Sequence, residues 1–341
     1  MNSRAVVDVR RRTRGRSLVV TVVLTGLAAA GFGLALSVGS VHIPLSDVAR
    51  SLAGQGERSD DFIIGTLRLP RALTGLLVGG ALGMSGAIFQ TLVRNPLASP
   101  DIIGVTAGAS AAGVIGVVVL GLGDAAVPGL AFAGALLAAL VVYALSWRQG
   151  MSGSRLVLIG IAAGAMLTSV TTYVLTRSTI FDAADALAWL TGSLNDRTWS
   201  TAVPLMCSTA VLVPLALALA RPLRALQLGD DSARGLGVAI EPVRLALAAV
   251  GVGLAAVATA AAGPVAFVAF VAAPVARRLV GAGAVALVPA ALVGMCLVTS
   301  ADLLGQHAFG LALPVGVVTS LVGAPFLVHL LVRSNRVGRC G

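Results

Sequence analysis

The chain has 341 residues, of which 57% are hydrophobic and only 11% charged, and its mean hydropathy is +0.97. Soluble globular chains carry about 45–50% apolar and about 25% charged residues, so the composition excludes a water-soluble enzyme, a disordered chain and a nucleic-acid-binding domain. The net charge of +10 comes from 24 arginines without a single lysine, and its distribution along the chain gives it a meaning other than an acidic partner.

Taken in chain order, residues 1–16 form a basic tail. The apolar stretch that follows, Ser17 to Gly39, is longer than the roughly 7–15 residues of a signal-peptide core, and no A-x-A site closes it. It reads as a retained first helix. Stretches free of Asp, Glu and Arg then cover 17–46, 72–93, 102–123, 125–147, 156–176, 198–220, 245–276, 279–301 and 303–332. A membrane-spanning helix needs about 20 apolar residues. The stretch 245–276 is too long for one crossing and is interrupted at Gly263-Pro264, where proline removes an N–H and clashes with the preceding turn. Splitting it gives ten spans in a single domain, 17–333, with a short tail at 334–341.

Arginine placement tests that count. With the N-terminus inside and ten crossings, 18 arginines fall on cytoplasmic segments and 6 on external ones, whereas acids divide 5 inside to 9 outside. This is the positive-inside bias, and both termini are expected in the cytoplasm. Nine spans would put the C-terminal arginines on the wrong side.

The second span carries Gly75, Gly79, Gly83 and Ala87 at spacing four, a stripe of small residues that lets backbones approach closely. Gln90 and Asn95 are polar groups near its inner end, readable as part of a translocation path or as interhelical hydrogen bonds. Pro96, Pro100, Gly104 and Gly108 read as punctuation between two helices. The tight Ser152-Gly153-Ser154 segment precedes the fifth span. The longest cytoplasmic loop, 221–244, holds Leu228-Gly229-Asp230-Asp231-Ser232-Ala233-Arg234-Gly235-Leu236-Gly237-Val238. This is a short polar helix flanked by glycines, with acids at its start and arginine near its end, as the helix dipole favours.

What is missing also matters. A chain without lysine has no G-x-x-x-x-G-K-[ST] phosphate loop, so no ATP hydrolysis of that kind is expected here. No Ser/His/Asp set or HExxH occurs, and His42, His307 and His329 are isolated. Asp302 is the one acid near a span interior, readable as an ion-coupling site or as a solvated interfacial carboxylate. Cys207, Cys296 and Cys340 have no metal-ligand spacing and read as small buried thiols. An importer subunit powered elsewhere, an ion-coupled carrier and an intramembrane enzyme are thus the classes to weigh. The empty membrane interior disfavours the second, and the lack of a catalytic cluster disfavours the third.

Several blocks resemble the FecCD-type permeases, membrane subunits of binding-protein-dependent ABC importers for iron–siderophores, haem and vitamin B12. They are Arg68-Leu69-Pro70-Arg71, Gly79-Gly80, Gly86, Gln90, Arg94-Asn95-Pro96-Leu97-Ala98, Trp189 with Gly192-Ser193-Leu194 and Trp199, Gly263 through Phe267-Val268 to Arg278, Asp302, Leu313-Pro314-Val315-Gly316 and Gly323-Ala324-Pro325-Phe326. The resemblance runs from about residue 20 to residue 333 and implies an all-α, ten-span integral membrane subunit in the bacterial cytoplasmic membrane. It also implies ferric-siderophore uptake, with haem or vitamin B12 as the alternative cargo. The implied partners are two copies of an ABC ATPase that bind ATP and Mg, a second identical or homologous permease, a substrate-binding protein and membrane lipid. No cofactor is expected in this chain.

By the same resemblance, Leu228, Gly229, Asp230, Asp231, Ala233, Arg234, Gly235, Leu236 and Gly237 form the ATPase-coupling helix. Arg68 and Arg71 dock the binding protein through carboxylate pairs at an outer helix start. Ser152, Gly153 and Ser154 align with the inner gate. The chain departs from the family pattern at Ala273-Pro274 (Pro followed by His or Gln), at Gln306 (Arg) and at Ala312 (Glu). The first departure is closer to ferric-enterobactin-type than to vitamin B12 permeases.

Overall fold

A backbone that crosses hydrocarbon must satisfy its own N–H and C=O groups, and a helix does so within one segment. The computed structural model describes residues 3–39, 41–123, 125–147, 153–281, 285–308 and 312–337, and its elements there are helices. They are α1 (Ser3–Ser37), α2 (Leu45–Leu52), α3 (Arg58–Phe62), α4 (Leu69–Leu92), α5 (Val105–Val118), α6 (Val127–Ser146), α7 (Gly153–Arg177), α8 (Ile180–Leu190) and α9 (Trp199–Ala218), followed by α10 (Ala220–Gln227), α11 (Asp230–Gly235), α12 (Ile240–Ala262), α13 (Val268–Val280), α14 (Leu287–His307) and α15 (Val315–Val337).

Each of the ten expected segments holds a helix: α1, α4, α5, α6, α7, α9, α12, α13, α14 and α15. Among the described residues, seven helices are long and apolar enough to cross a membrane, and α5 and Val315–Val328 are shorter apolar helices. The charge-free stretch 102–123 yields only the 14 residues of α5, about 21 Å of helix. Its start is held back by the turns around Pro96 and Pro100 and by Gly104, whose φ of 88° suits glycine.

Two boundaries differ from the sequence reading. Asp302 does not end a span, because α14 runs through it to His307. The second span does not start at residue 72. A π-helical turn, Ile63–Arg68, joins α3 to α4 in one helical run from Arg58 to Leu92. Pro70 explains the wider turn, since its ring would clash with a carbonyl one α-turn back. In the five-residue register the carbonyl of Gly65 faces residue 70, which has no N–H to offer. The indole N–H of Trp199 donates to that oxygen instead, at 2.9 Å.

Helix α4 is the centre of the bundle. A Cβ on Gly79 or Gly83 would collide with the α14 backbone at Gly294 and Ala290, and one on Gly86 with the α13 backbone at Ala269. The small-residue stripe is therefore a set of backbone contacts. Dispersion at such distances drives association where lipid leaves no hydrophobic term between helices. Ser85 Oγ adds an interhelical bond to Gly251 O of α12 at 2.7 Å. The expected break after α12 is present: Gly263 has φ 74°, Ser193 N–H reaches Ala262 O at 2.8 Å, and Gly316 N–H reaches Gly192 O at 3.0 Å. The Gly192-Ser193 turn thus ties the end of α12 to the start of α15.

By contrast, α7 is exposed along one side, with Leu158 70% and Met166 72% exposed. Cys207 on α9 is exposed and Cys296 is half-buried. Neither is the buried thiol expected: Cys207 faces outward, and Cys296 is covered on one side by α1, where its Sγ reaches Leu24 O at 3.7 Å; Cys340 lies outside the described residues.

Candidate functional site

Two polar clusters stand out from the apolar bundle, one at each end of α4. At the predicted outer end, Arg71 Nε and Nη2 donate to Asp302 Oδ2 and Oδ1 at 3.2 and 2.8 Å. Gln306 Nε2 donates to Asp302 Oδ2 at 2.7 Å. Asp302 is buried, so it is not a solvated carboxylate. A charge placed in an apolar helix persists only when paired, and the side-on arginine fork supplies a charge-assisted pair. Gln306, one turn further along α14, satisfies the second lone pair on Oδ2.

Arg68 points elsewhere. Its Nη1 donates to Leu36 O and Ser37 O at 2.7 and 3.0 Å, and its Nη2 to Val41 O at 2.5 Å. These are carbonyls at the end of α1 and just beyond it, which no intrahelical N–H reaches. Arg68 is thus a brace between α1 and the π-turn. The expectation that Arg68 and Arg71 flank a free helix start is corrected by the continuous 58–92 run, which leaves no orphan N–H groups beside them. The two arginines, Asp302 and Gln306 line a recess of about 240 Å³.

At the predicted inner end, α4 stops at Leu92 and Arg94 takes a left-handed conformation, φ 55°, uncommon for a residue with a Cβ. Arg94 Nη2 donates to Leu226 O at 2.6 Å and to Asp230 Oδ1 at 2.8 Å. Arg244 Nη2, in the first turns of α12, donates to both oxygens of Asp230 at 2.9 and 2.8 Å. Burial pushes the Asp230 carboxyl upward. The hydrogen bonds and charges of Arg244 and then Arg94 outweigh it and hold the group below its ordinary value.

The short polar helix expected over 228–238 is present as α11, entered through Gly229 at φ 108° and left through Gly237 at φ 79°. Ala233 is buried beneath it, while Leu228 and Leu236 are 67% and 65% exposed. Arg234 and Asp231 form a surface pair at 2.9 Å. A Cβ on Gly235 would meet open space.

Gln90 is buried two residues before the end of α4. Its Nε2 donates to Phe270 O of α13 at 3.0 Å, and its Oε1 accepts from Arg277. Of the two readings of Gln90, the geometry is that of an interhelical bond. Asn95 Oδ1 accepts from Leu97 N–H at 2.9 Å, a local turn. Gly153 opens α7 against Val93, Ser154 is exposed beside it, and Ser152 lies outside the described residues. Arg16 Nε and Nη2 donate to Leu279 O and Arg278 O at 2.7 and 3.1 Å, closing the end of α13.

The sequence reading missed the roles of Arg94, Arg244, Arg277 and Arg16, and it missed the partner of Asp302. A usable signal existed for the last: an acid and an arginine at the same predicted depth, neither with another countercharge on its own helix.

These observations can be set beside known proteins. The FecCD transport family model matches residues 20–333. The ferric enterobactin transport system permease protein FepG of Escherichia coli (strain K12) is 40% identical over 323 residues, covering 94% of this chain and 98% of FepG. The achromobactin transport system permease protein CbrC of Dickeya dadantii (strain 3937) is 41% identical over 328 residues, covering 95% and 93%. An ABC transporter assigned to the metal-chelate type, solved in an inward-facing conformation, superposes with a TM-score of 0.80 at 26% identity, covering 92% of this chain and 99% of that one. With an apolar helical bundle matched over residues 20–333, this chain is a multi-pass permease subunit and belongs to the FecCD transport family.

Proposed function

We propose that the chain is the membrane subunit of an ABC importer that takes up ferric siderophores across the bacterial cytoplasmic membrane. The observation that carries this reading is the end-to-end similarity to two siderophore permeases, each at least 40% identical over at least 94% of this chain. In this reading a separate ATPase binds ATP and Mg, and a substrate-binding protein delivers the cargo. The ten helices named above span the membrane with both termini in the cytoplasm, which the 18-to-6 division of arginines supports. The short helices α5 and α13 complete their crossings with the turns that precede them. The exposed apolar stripe of α7 faces lipid or the second permease subunit, and Gly153 and Ser154 at its start sit where two copies would close the inner gate.

Helix α11 is the contact with the ATPase. It offers Leu228 and Leu236 as exposed apolar anchors around Asp231 and Arg234. At the outer rim, Arg71 carries the contact with the binding protein. Its Nε and Nη2 are held by Asp302, and its Nη1 makes no hydrogen bond among the described residues. Arg68 contributes by bracing the rim, since both ends of its fork are filled by carbonyls. A rim charge of this kind mainly steers encounter and fixes orientation.

The test is uptake of radiolabelled ferric enterobactin, ferric achromobactin, haem and cobalamin by a strain lacking this chain, with and without its restoration. Restored uptake of a ferric siderophore alone supports the reading. Restoration of haem or cobalamin uptake alone, or of none of the four, overturns it.

A further inference from the structure

We propose that Asp230 is the positioning residue that turns movement of α11 into movement of two core helices, α4 and α12. The inference rests on the reading of α11 as the ATPase contact and goes further, by naming the joint through which force leaves it.

The contacts of this side chain and of its neighbours carry the inference. Asp230, the first residue of α11, accepts from arginines at the ends of two different long helices: Arg94 just past α4 and Arg244 near the start of α12. Arg94 also holds Leu226 O at the end of α10, so the two short helices of the loop are fastened to the end of α4 at one guanidinium. One turn deeper, Gln90 of α4 grips α13 through Phe270 O and Arg277. The loop is therefore tied to the ends of α4 and α12, and α4 in turn is tied to α13.

The geometry of α11 separates this joint from the docking surface. Ala233 is covered while Leu228, Leu236 and Asp231 are uncovered, so one side of the helix is held by the bundle and the other is open. The glycines at φ 108° and 79° on either side let the backbone turn sharply into and out of α11, and the exit turn is closed by Gly237 N–H to Arg234 O at 2.9 Å and Val238 N–H to Ala233 O at 3.0 Å. Beside these turns, the Asp230 ion-pair junction is the side-chain connection that ties α11 to the ends of both α4 and α12. The strained left-handed Arg94 sits at that junction, as residues held in sparsely populated conformations commonly do at switch regions.

The experiment uses the assembled complex of this chain with its ATPase and binding protein in proteoliposomes. It reads the number of cargo molecules moved per ATP hydrolysed, together with the amount of ATPase retained after purification. Asp230→Asn keeps the shape and removes the charge. The expected result is a fall of about tenfold in cargo per ATP, within the span of coupling between sites, with Asp230→Glu recovering most of it. Arg244→Gln, which frees α12 while leaving Arg94 in place, is expected to lower the ratio in the same direction and serves if Asp230→Asn does not insert.

An unchanged ratio in Asp230→Asn or Arg244→Gln overturns the proposal. So does loss of the ATPase from the Asp230→Asn complex at constant ratio, which would put Asp230 in the docking contact itself. Leu228→Ser with Leu236→Ser tests the underlying reading separately. If that variant retains its ATPase in full, α11 is not the ATPase contact, whatever Asp230 does.

Discussion

Replacing Asp302 by Asn removes one partner of a buried ion pair and leaves its shape almost intact. Arg71 then keeps its charge with no carboxylate nearby, and its side chain is only 23% exposed. Breaking such a pair from one side costs about 3–5 kcal/mol. The partial exposure of Arg71 argues for the low end, about 3 kcal/mol, since water can still reach part of the guanidinium. For a chain of this length each kcal/mol moves the melting temperature by about 2 °C, so Asp302→Asn should melt about 5–6 °C lower. The pair itself is not the source of the loss; the orphaned arginine is. Arg71→Leu combined with Asp302→Leu should therefore recover at least half of the drop. The assay is thermal unfolding of the purified protein in one detergent, run as a double-mutant cycle. A single Asp302→Asn variant that melts within about 1 °C of the parent, or a double variant less stable than both singles, would refute the reasoning.

Other outcomes follow from the same contacts. Gly79→Leu and Gly83→Leu drive a side chain into the α14 backbone and should abolish accumulation of folded protein, whereas Gly26→Leu, with no neighbour near its Cβ, should accumulate normally on a membrane-fraction immunoblot. Trp199→Phe strips the Gly65 carbonyl of its donor and should cost about 1–2 kcal/mol; Pro70→Ala, which restores a backbone N–H, should shrink that cost when the two are combined in thermal melts. The ionised form of Asp230 is favoured in the folded protein, so its contribution is full above the ordinary carboxylate pKa of about 3.9 and is lost as pH falls through the lower folded value. Amide protection over 228–238, taken relative to the intrinsic exchange rate at each pH, should accordingly fall only below about pH 4, and a loss of protection between pH 5 and 8 would contradict it. Reporter fusions at Arg339 and within residues 54–61 should land on opposite sides of the membrane, and both on one side would exclude ten spans.

Much of the bundle was legible because lipid imposes simple rules. Charge-free stretches mark helices, arginines mark a side, and the Gly75, Gly79, Gly83 stripe marks a close contact. The Gly229 and Gly237 pair bounded α11 correctly for a local reason, since both residues take positive φ. What could not be read depends on which helices become neighbours. Arg71 and Asp302 are 231 residues apart, and Arg94 and Asp230 are 136 apart, and periodicity along one helix says nothing about its partner across the bundle. The π-turn was hidden for another reason: Pro70 signals a helix start by local rules, and only the Trp199 donor makes a continued helix affordable there.

The continuous run from Arg58 to Leu92 has 35 residues, about 52 Å of helix against a hydrocarbon thickness of about 30 Å. Its first eleven residues, Arg58 to Arg68, project about 16 Å beyond Leu69. Arg68 fastens the base of this projection to the end of α1. A tilt of α4 by about 10° about that base would sweep the tip at Arg58 through about 3 Å. Such an arm would carry small rotations of the central helix to any protein resting on the predicted outer rim.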